Sequence, residues 1–276
     1  MAVELEIRDG SPWWVSPDLW TVPFEPEGPP GQPVVGEPCF LWARVRNNGT
    51  FDVSNATVRF YWANPAVGFD RSTAHLIGTS FVNLDPGAGS DVLCLTPWVP
   101  VYVNQGHECI LAEAYHTALD PLPATPEFNV PTDRHVAQRN LSVVLASSGF
   151  FHFVMTIHNS QRNSREFLLE AAVVESEEAK DIVRMLPDVD LEGEFGALLR
   201  SAFVDDLCPG AEALEEGEHR RVMIEIPGGS SVSKTLIGEI EAEPVLIHVR
   251  QIIDDLEIGG LSVLVLPPDN GRRKVS

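Results

Sequence analysis

The side chains best suited to chemistry are eight histidines, four cysteines and forty acids. His107-Glu108 opens like the His-Glu-x-x-His helix of a zinc hydrolase, but position 111 is Leu and the segment reads as a strand. His116, His152, His158, His219 and His248 are scattered, whereas a zinc site needs three or four ligands converging from set positions. Acidic loops at Leu84-Asp85-Pro86-Gly87 and Asp254-Asp255-Leu256-Glu257 offer oxygens to calcium, without the spacing of an EF-hand. Cys39, Cys94, Cys109 and Cys208 lie too far apart for a Cys-x-x-Cys metal or redox motif. Gly87-Ala88-Gly89-Ser90 and Gly228-Gly229-Ser230-Ser231 lack the Gly-x-Ser-x-Gly elbow of a serine nucleophile. Nor is there a P-loop or a dinucleotide fingerprint. No catalytic, cofactor-binding or metal-binding residue is assigned, and no cofactor is expected.

The aromatic residues point elsewhere. All six tryptophans, at positions 13, 14, 20, 42, 62 and 98, fall in the first 98 residues. Exposed Trp rings stack on sugars and anchor protein interfaces. Trp42, Trp62 and Trp98 suit the core of a sheet protein. Trp13 and Trp14 are adjacent and cannot share one face of a strand, so that pair with Trp20 is the candidate interaction patch.

These residues sit in a chain of 276 with a formal charge of −21. Residues 1–150 hold 16 acids and 7 bases and residues 151–276 hold 24 and 12, so acidity is a property of the whole surface and not of a tail. Such a charge repels a phosphate backbone and argues against general nucleic-acid binding. The hydrophobic fraction of 44% is that of a globular core, with no run long enough to span a membrane. MAVELEIRDG is acidic and has no apolar run, so no cleavable secretory signal is expected and a cytoplasmic location is. Three glycosylation-type triplets, at Asn48, Asn55 and Asn140, would matter only in a secreted chain and receive no weight.

Strand signals dominate the first half. CFLWARVR closes on the turn Asn47-Asn48-Gly49-Thr50, and NATVRFYWANP ends at Asn64-Pro65. LIGTSFVNL, SDVLCLTPWVP, GHECILAEAYH and AQRNLSVVLA follow, fenced by Pro, Gly, Asp or Asn, and no helix of useful length precedes residue 150. The second half repeats this plan. Residues 151–174 echo 39–62, Pro227-Gly228-Gly229-Ser230-Ser231-Val232 echoes the turn at 86–92, PVLIHVRQIIDD echoes GHECILAEAYH, and GLSVLVLPP echoes AQRNLSVVL. The fold class expected is all-β: two tandem immunoglobulin-like antiparallel β-sandwiches, residues 1–146 and 147–276. The second carries an insertion at about 176–219, with a capped helix from Ser176 through Ile182, Val183 and Leu186 and a second short helical stripe at Phe195, Leu198, Leu199 and Phe203. That insertion reads as a lid over a sheet edge or as a binding element. Cys39 and Cys109 fall on the strands that carry the disulfide in antibody domains, but with no export signal free buried thiols are preferred.

Ser16-Pro17-Asp18-Leu19-Trp20, then Thr21-Val22-Pro23, GEPCFLWARVRNNGTFDVSNATVRFYW, LIGTSFVNLDPGAGSDVLCLTPWVP, GHECILAEAYH and DRHVAQRNLSV together resemble CARDB, the cell-adhesion-related domain found in bacteria. The resemblance spans about residues 15–145 and rests on the spacing of strands and turns. It implies an immunoglobulin-like sandwich and adhesion or accessory roles, with no catalytic residues. Three function classes follow. The first is a non-catalytic structural or adaptor protein presenting protein–protein surfaces, an accessory subunit of a larger bacterial assembly. The second is a carbohydrate-binding or adhesion module, and the third a metal-dependent hydrolase. Protein partners are expected, glycans are the alternative, and nucleic acid and membrane insertion are not expected.

Overall fold

The computed structural model describes residues 2–63, 70–101, 109–191, 193–216 and 219–268. The first half holds β1 (Leu5–Glu6), β2 (Leu19–Pro23), β3 (Cys39–Asn47), β4 (Val53–Ala63), β5 (His75–Leu84), β6 (Gly89–Leu93), β7 (Cys109–Tyr115) and β8 (Val136–Arg139). β1 and β2 pair antiparallel with one edge of β3 and β6 with the other, while β5-β4-β7-β8 form the facing sheet. Strict alternation drives this. Cys39, Leu41, Ala43 and Val45 turn inward from β3 and meet Val58 and Phe60 of β4 and Ala112 and Ala114 of β7 in one core.

In the second half, β9 (Leu141–Leu145), β10 (Phe150–His158) and β11 (Arg165–Val173) are followed by α1 (Ser176–Arg184). Then come β12 (Leu198–Val204), β13 (Arg221–Ile226), β14 (Ser231–Ile240), β15 (Val245–Ile253) and β16 (Leu256–Leu266). One sheet is β10-β14-β12 and the other β13-β11-β15-β16-β9, with Phe151, Met155 and Ile157 of β10 packed across the core on Phe167, Leu169 and Val263. All pairings are antiparallel except that of β9 with β16. The chain is an all-β protein of antiparallel sandwiches. Among the described residues its one α-helix is α1.

Three expectations need correction. AQRNLSVVLA is not one strand. It divides at Asn140, with β8 pairing with β7 and β9 pairing with β16. Phe195, Leu198, Leu199 and Phe203 form no helical stripe. Leu198–Val204 is a strand because β14 offers a ladder of unpaired backbone groups, and Phe203 then falls opposite Leu236 in the core. Helix α1 ends before Pro187 as expected, but Ser176 does not cap it. Glu175 is the capping residue and makes no side-chain cap, while the Ser176 hydroxyl accepts a hydrogen bond from the Phe195 N–H at 3.2 Å. The turn at Asn64-Pro65 lies outside the described residues.

Candidate interaction site

The residues singled out in sequence lie close to where the two halves meet. Trp14 has no exposed surface. Its ring lies against β16 at Gly260, where an added Cβ would come within 2.5 Å of it. The Trp14 Nε1–H donates to Ser262 Oγ at 3.1 Å, and Ser262 Oγ lies 2.9 Å from His248 Nδ1. Ser262 Oγ thus links the indole N–H of Trp14 to the His248 imidazole. Burial, with a smaller push from Arg250, holds the His248 pKa down at about 4. Trp13 sits edge-on to Trp14 at 5.3 Å and donates its Nε1–H to Glu257 at 3.1 Å.

A second bridge crosses the same boundary. Arg139 at the end of β8 pairs with Asp188 just after α1, both with side chains about 95% buried or more. Arg139 also donates to the Ser16 carbonyl at 3.2 Å, and Gln32 Nε2 donates to the Asp188 carbonyl at 3.2 Å. Burial pushes the Asp188 carboxyl up, against the pull of Arg139. Asn140 completes the boundary: its N–H donates to the Trp14 carbonyl at 2.8 Å and its side-chain amide to the Gly260 carbonyl at 2.9 Å.

Trp20 is 8% exposed. It stacks on Trp42 with centroids 6.2 Å apart, and the Arg44 guanidinium, held by Asp91, lies 5.9 Å from its centroid. It lines a cavity of about 270 Å³ with Arg8, Asp18, Arg44, Met185 and Pro187. Burial would raise the Asp18 carboxyl, but hydrogen bonds from Arg8 and Arg46 outweigh it and hold the group below the usual carboxylate range. Trp13, Trp14 and Trp20 therefore form no open aromatic platform. Adjacency sends Trp14 into the boundary and Trp13 against it, and Arg44 covers Trp20.

One exposed apolar surface lies beyond β2. The segment 23–38 folds back on itself, with Gly31 N–H to the Thr21 carbonyl at 3.0 Å and Gly36 N–H to the Pro100 carbonyl at 2.9 Å. Phe24, Val34 and Val35 from this segment and Val99 and Val101 beside it are 45–58% exposed. A groove of about 510 Å³ runs between Pro23, Phe24, Pro29, Pro33 and Val34, with Glu25 at its lip. Phe24 has φ of 71°, and its neighbours close a three-residue turn, Glu25 N–H to the Pro23 carbonyl at 2.9 Å. This is the rare, strained hand of the γ-turn, and a bulky side chain seldom adopts it.

Among the described residues no group of three or more His, Cys, Asp or Glu side chains could hold a metal ion. His107-Glu108 lies outside the described residues. Asp133 and Asp120 flank buried His135, at 2.7 Å from Nδ1 and 3.2 Å from Nε2, and Asp120 is also taken by Arg134 at 2.5 Å. Nearby Asp9 is raised to about 7 by burial and by Glu6 and Asp133. Cys39, Cys94 and Cys109 are buried free thiols and Cys208 is exposed and free. Sequence reasoning missed Phe24, Arg139 and Asp188. Only the run of prolines around Phe24 offered a signal, since the other two come together from residues far apart in the chain.

No family model matches the chain, and no curated protein matches it. Among solved structures it is similar to red sea bream transglutaminase at 12% identity, over 91% of this chain and 31% of that one, with a TM-score of 0.23. A bacterial adhesin from Mobiluncus mulieris with intramolecular disulfide, isopeptide and ester cross-links is similar at 6% identity, over 90% and 97% of the two chains, TM-score 0.26. CBD12 from CALX1.2 is similar at 12% identity, over 82% and 92%, TM-score 0.21. The chain spans less than a third of the transglutaminase's length. Likeness at these scores carries no functional argument, and the fold assignment rests on the sheets.

Proposed function

We propose that the chain is a non-catalytic adaptor or structural protein that engages a protein partner through the apolar surface around segment 23–38. The observation that carries this reading is Phe24, held at φ of 71° with its ring 58% exposed. Folding gains nothing from straining a residue to present an aromatic ring to water, whereas a partner does. The surrounding valines and prolines, inside a surface of −21 net charge, supply the dehydrated centre that a protein interface needs. Resemblance to CARDB supports an accessory role, such as a subunit of a larger bacterial assembly. The carbohydrate reading has lost its Trp platform, and the hydrolase reading finds no ligand set among the described residues.

Substituting Phe24→Gly relieves the backbone and removes the ring. Stability by denaturant titration is expected to stay level or rise by about 1 kcal/mol. Tagged wild type should recover a stoichiometric partner from native lysate, identified by mass spectrometry, and the variant should not. Equal capture by both would sink the proposal.

A further inference from the structure

Strands β7 and β8 bring a nucleophile to an acyl group. Leu111 stands opposite Gln138, and Ile110 opposite Arg139. Cys109 lies two residues before Leu111 and on the same face of the sheet, which makes it the diagonal neighbour of Gln138 across the ladder. The Cys109 thiol lies against the Gln138 side chain and donates weakly to the Arg139 carbonyl at 3.6 Å. Neither Cys109 nor Gln138 has any exposed surface. Leu111, Phe128, Val130 and Val136 share their apolar cluster, and Trp13 packs against it.

Gln138 is out of place there. Among the described residues neither its Oε1 nor its Nε2 has a hydrogen-bond partner. A carboxamide gives up water on burial and ordinarily regains hydrogen bonds inside, whereas a leucine or methionine would fill an apolar site without that loss. The other buried thiols are placed differently. Cys94 donates to the Thr96 carbonyl at 3.3 Å, and Cys39 lies by the Thr21 hydroxyl. Burial pushes the Cys109 thiol well above its ordinary range, so it keeps its proton.

We propose that Cys109 and Gln138 join as an internal thioester, a stored acyl group for a primary amine. Cys109 Sγ attacks Gln138 Cδ. The S–C bond forms, the C–N bond breaks, and the thiol proton leaves with the amide nitrogen as ammonia. No oxidant or reductant is required, and the neutral thiol brings the proton that the leaving nitrogen needs. Loss of ammonia also removes the Nε2–H donors that burial leaves unpaired. A primary amine then attacks the same carbon. The new C–N bond forms, the C–S bond breaks, and the amine's proton passes to Cys109, leaving a substituted amide at Gln138 and a thiol. The apolar cover keeps water from the bond in the folded chain, and an amine reaches it when that cover opens. This chemistry runs once per chain and uses no residue of the surface around Phe24, so the two readings fail separately.

Intact-mass measurement of the full chain tests the thioester. Wild type, kept free of thiol reductants, should be lighter than its sequence by one ammonia. One of its four cysteines should resist N-ethylmaleimide in mildly acidic urea. Denaturation in methylamine should release that thiol and leave an N-methyl amide on Gln138, located by peptide sequencing. Cys109→Ala and Gln138→Leu should each show the full sequence mass, and Cys94→Ala should keep the deficit. The wild-type mass decides the matter even where a variant folds poorly. A wild type of full sequence mass, a deficit that survives Cys109→Ala, or methylamine carried on a residue other than Gln138 would each overturn the proposal.

Discussion

The two halves share a plan down to one buried side chain. In the first, Asn47 ends β3. Its side-chain amide donates to the Phe51 carbonyl at 2.7 Å, its Oδ1 accepts from Gly49 N–H at 3.1 Å, and its carbonyl accepts from Gly87 N–H at 2.8 Å. In the second, Asn159 does the same at the end of β10, to Asn163 at 2.8 Å, from Gln161 at 3.1 Å and from Gly229 at 2.9 Å. Each Asn ties two turns together where water cannot reach, which only a side chain with both donor and acceptor can do. The halves part company in their leading strands and in the connection after the second core strand, which in the second half contains α1, Asp188 and β12. Asp188, from that connection, provides the ion pair with Arg139, while the socket for Trp14 comes from the repeated strand β16.

Trp14→Ala should break the joint most sharply. Removing a wholly buried indole is expected to cost about 3–5 kcal/mol, and the loss should be read by denaturant titration. If the halves were independent, the loss would instead appear as two separated transitions.

The next effect is one of pH, and it has opposite signs in the two halves. His248 titrates near 4 in the folded chain and near 6.5 when unfolded, so its contribution is present above pH 6.5 and lost as pH falls through 4, by about 3 kcal/mol. Asp9, raised to about 7, contributes below pH 3.8 and loses that contribution as pH rises through 7. Subtracting the pH–stability profile of His248→Gln from wild type should isolate the first slope, and Asp9→Asn the second. A flat difference for His248→Gln would mean that its imidazole meets water.

The smallest test concerns the paired asparagines. Asn47→Ala and Asn159→Ala should each lose about 1–3 kcal/mol, because the carbonyls and N–H groups they serve stay buried. Similar losses would support equivalent roles. A loss at one position alone would mean that the likeness is geometric and not energetic.

Much of this scaffold was legible because β pattern is local. Alternation in Cys39–Asn47 and Phe150–His158, and the turns at 86–92 and 227–232, follow from period two and from turn chemistry. Even the asparagine plugs were legible, since Asn47 and Asn159 hold the same place in the matched segments 39–62 and 151–174. What stayed hidden depends on neighbours distant in sequence. Leu198–Val204 has an ambiguous pattern and became a strand because an edge was on offer, and β9 alternates equally well in either sheet. The strain at Phe24 leaves no mark in composition, and the burial of Trp14 depends on a glycine 246 positions later, at 260.

That last dependence sets an order of events during synthesis. The first sandwich draws its sheets from residues 5–139, so they can close while the rest of the chain is still being made. Trp14 leaves the ribosome 246 residues before its socket begins, at Gly260 and Ser262 of β16. Strand β9 waits on the same strand for its pairing. The nascent chain thus carries an unhoused indole from Trp14 and an unpaired strand from Leu141 until β16 emerges, and that one event settles both.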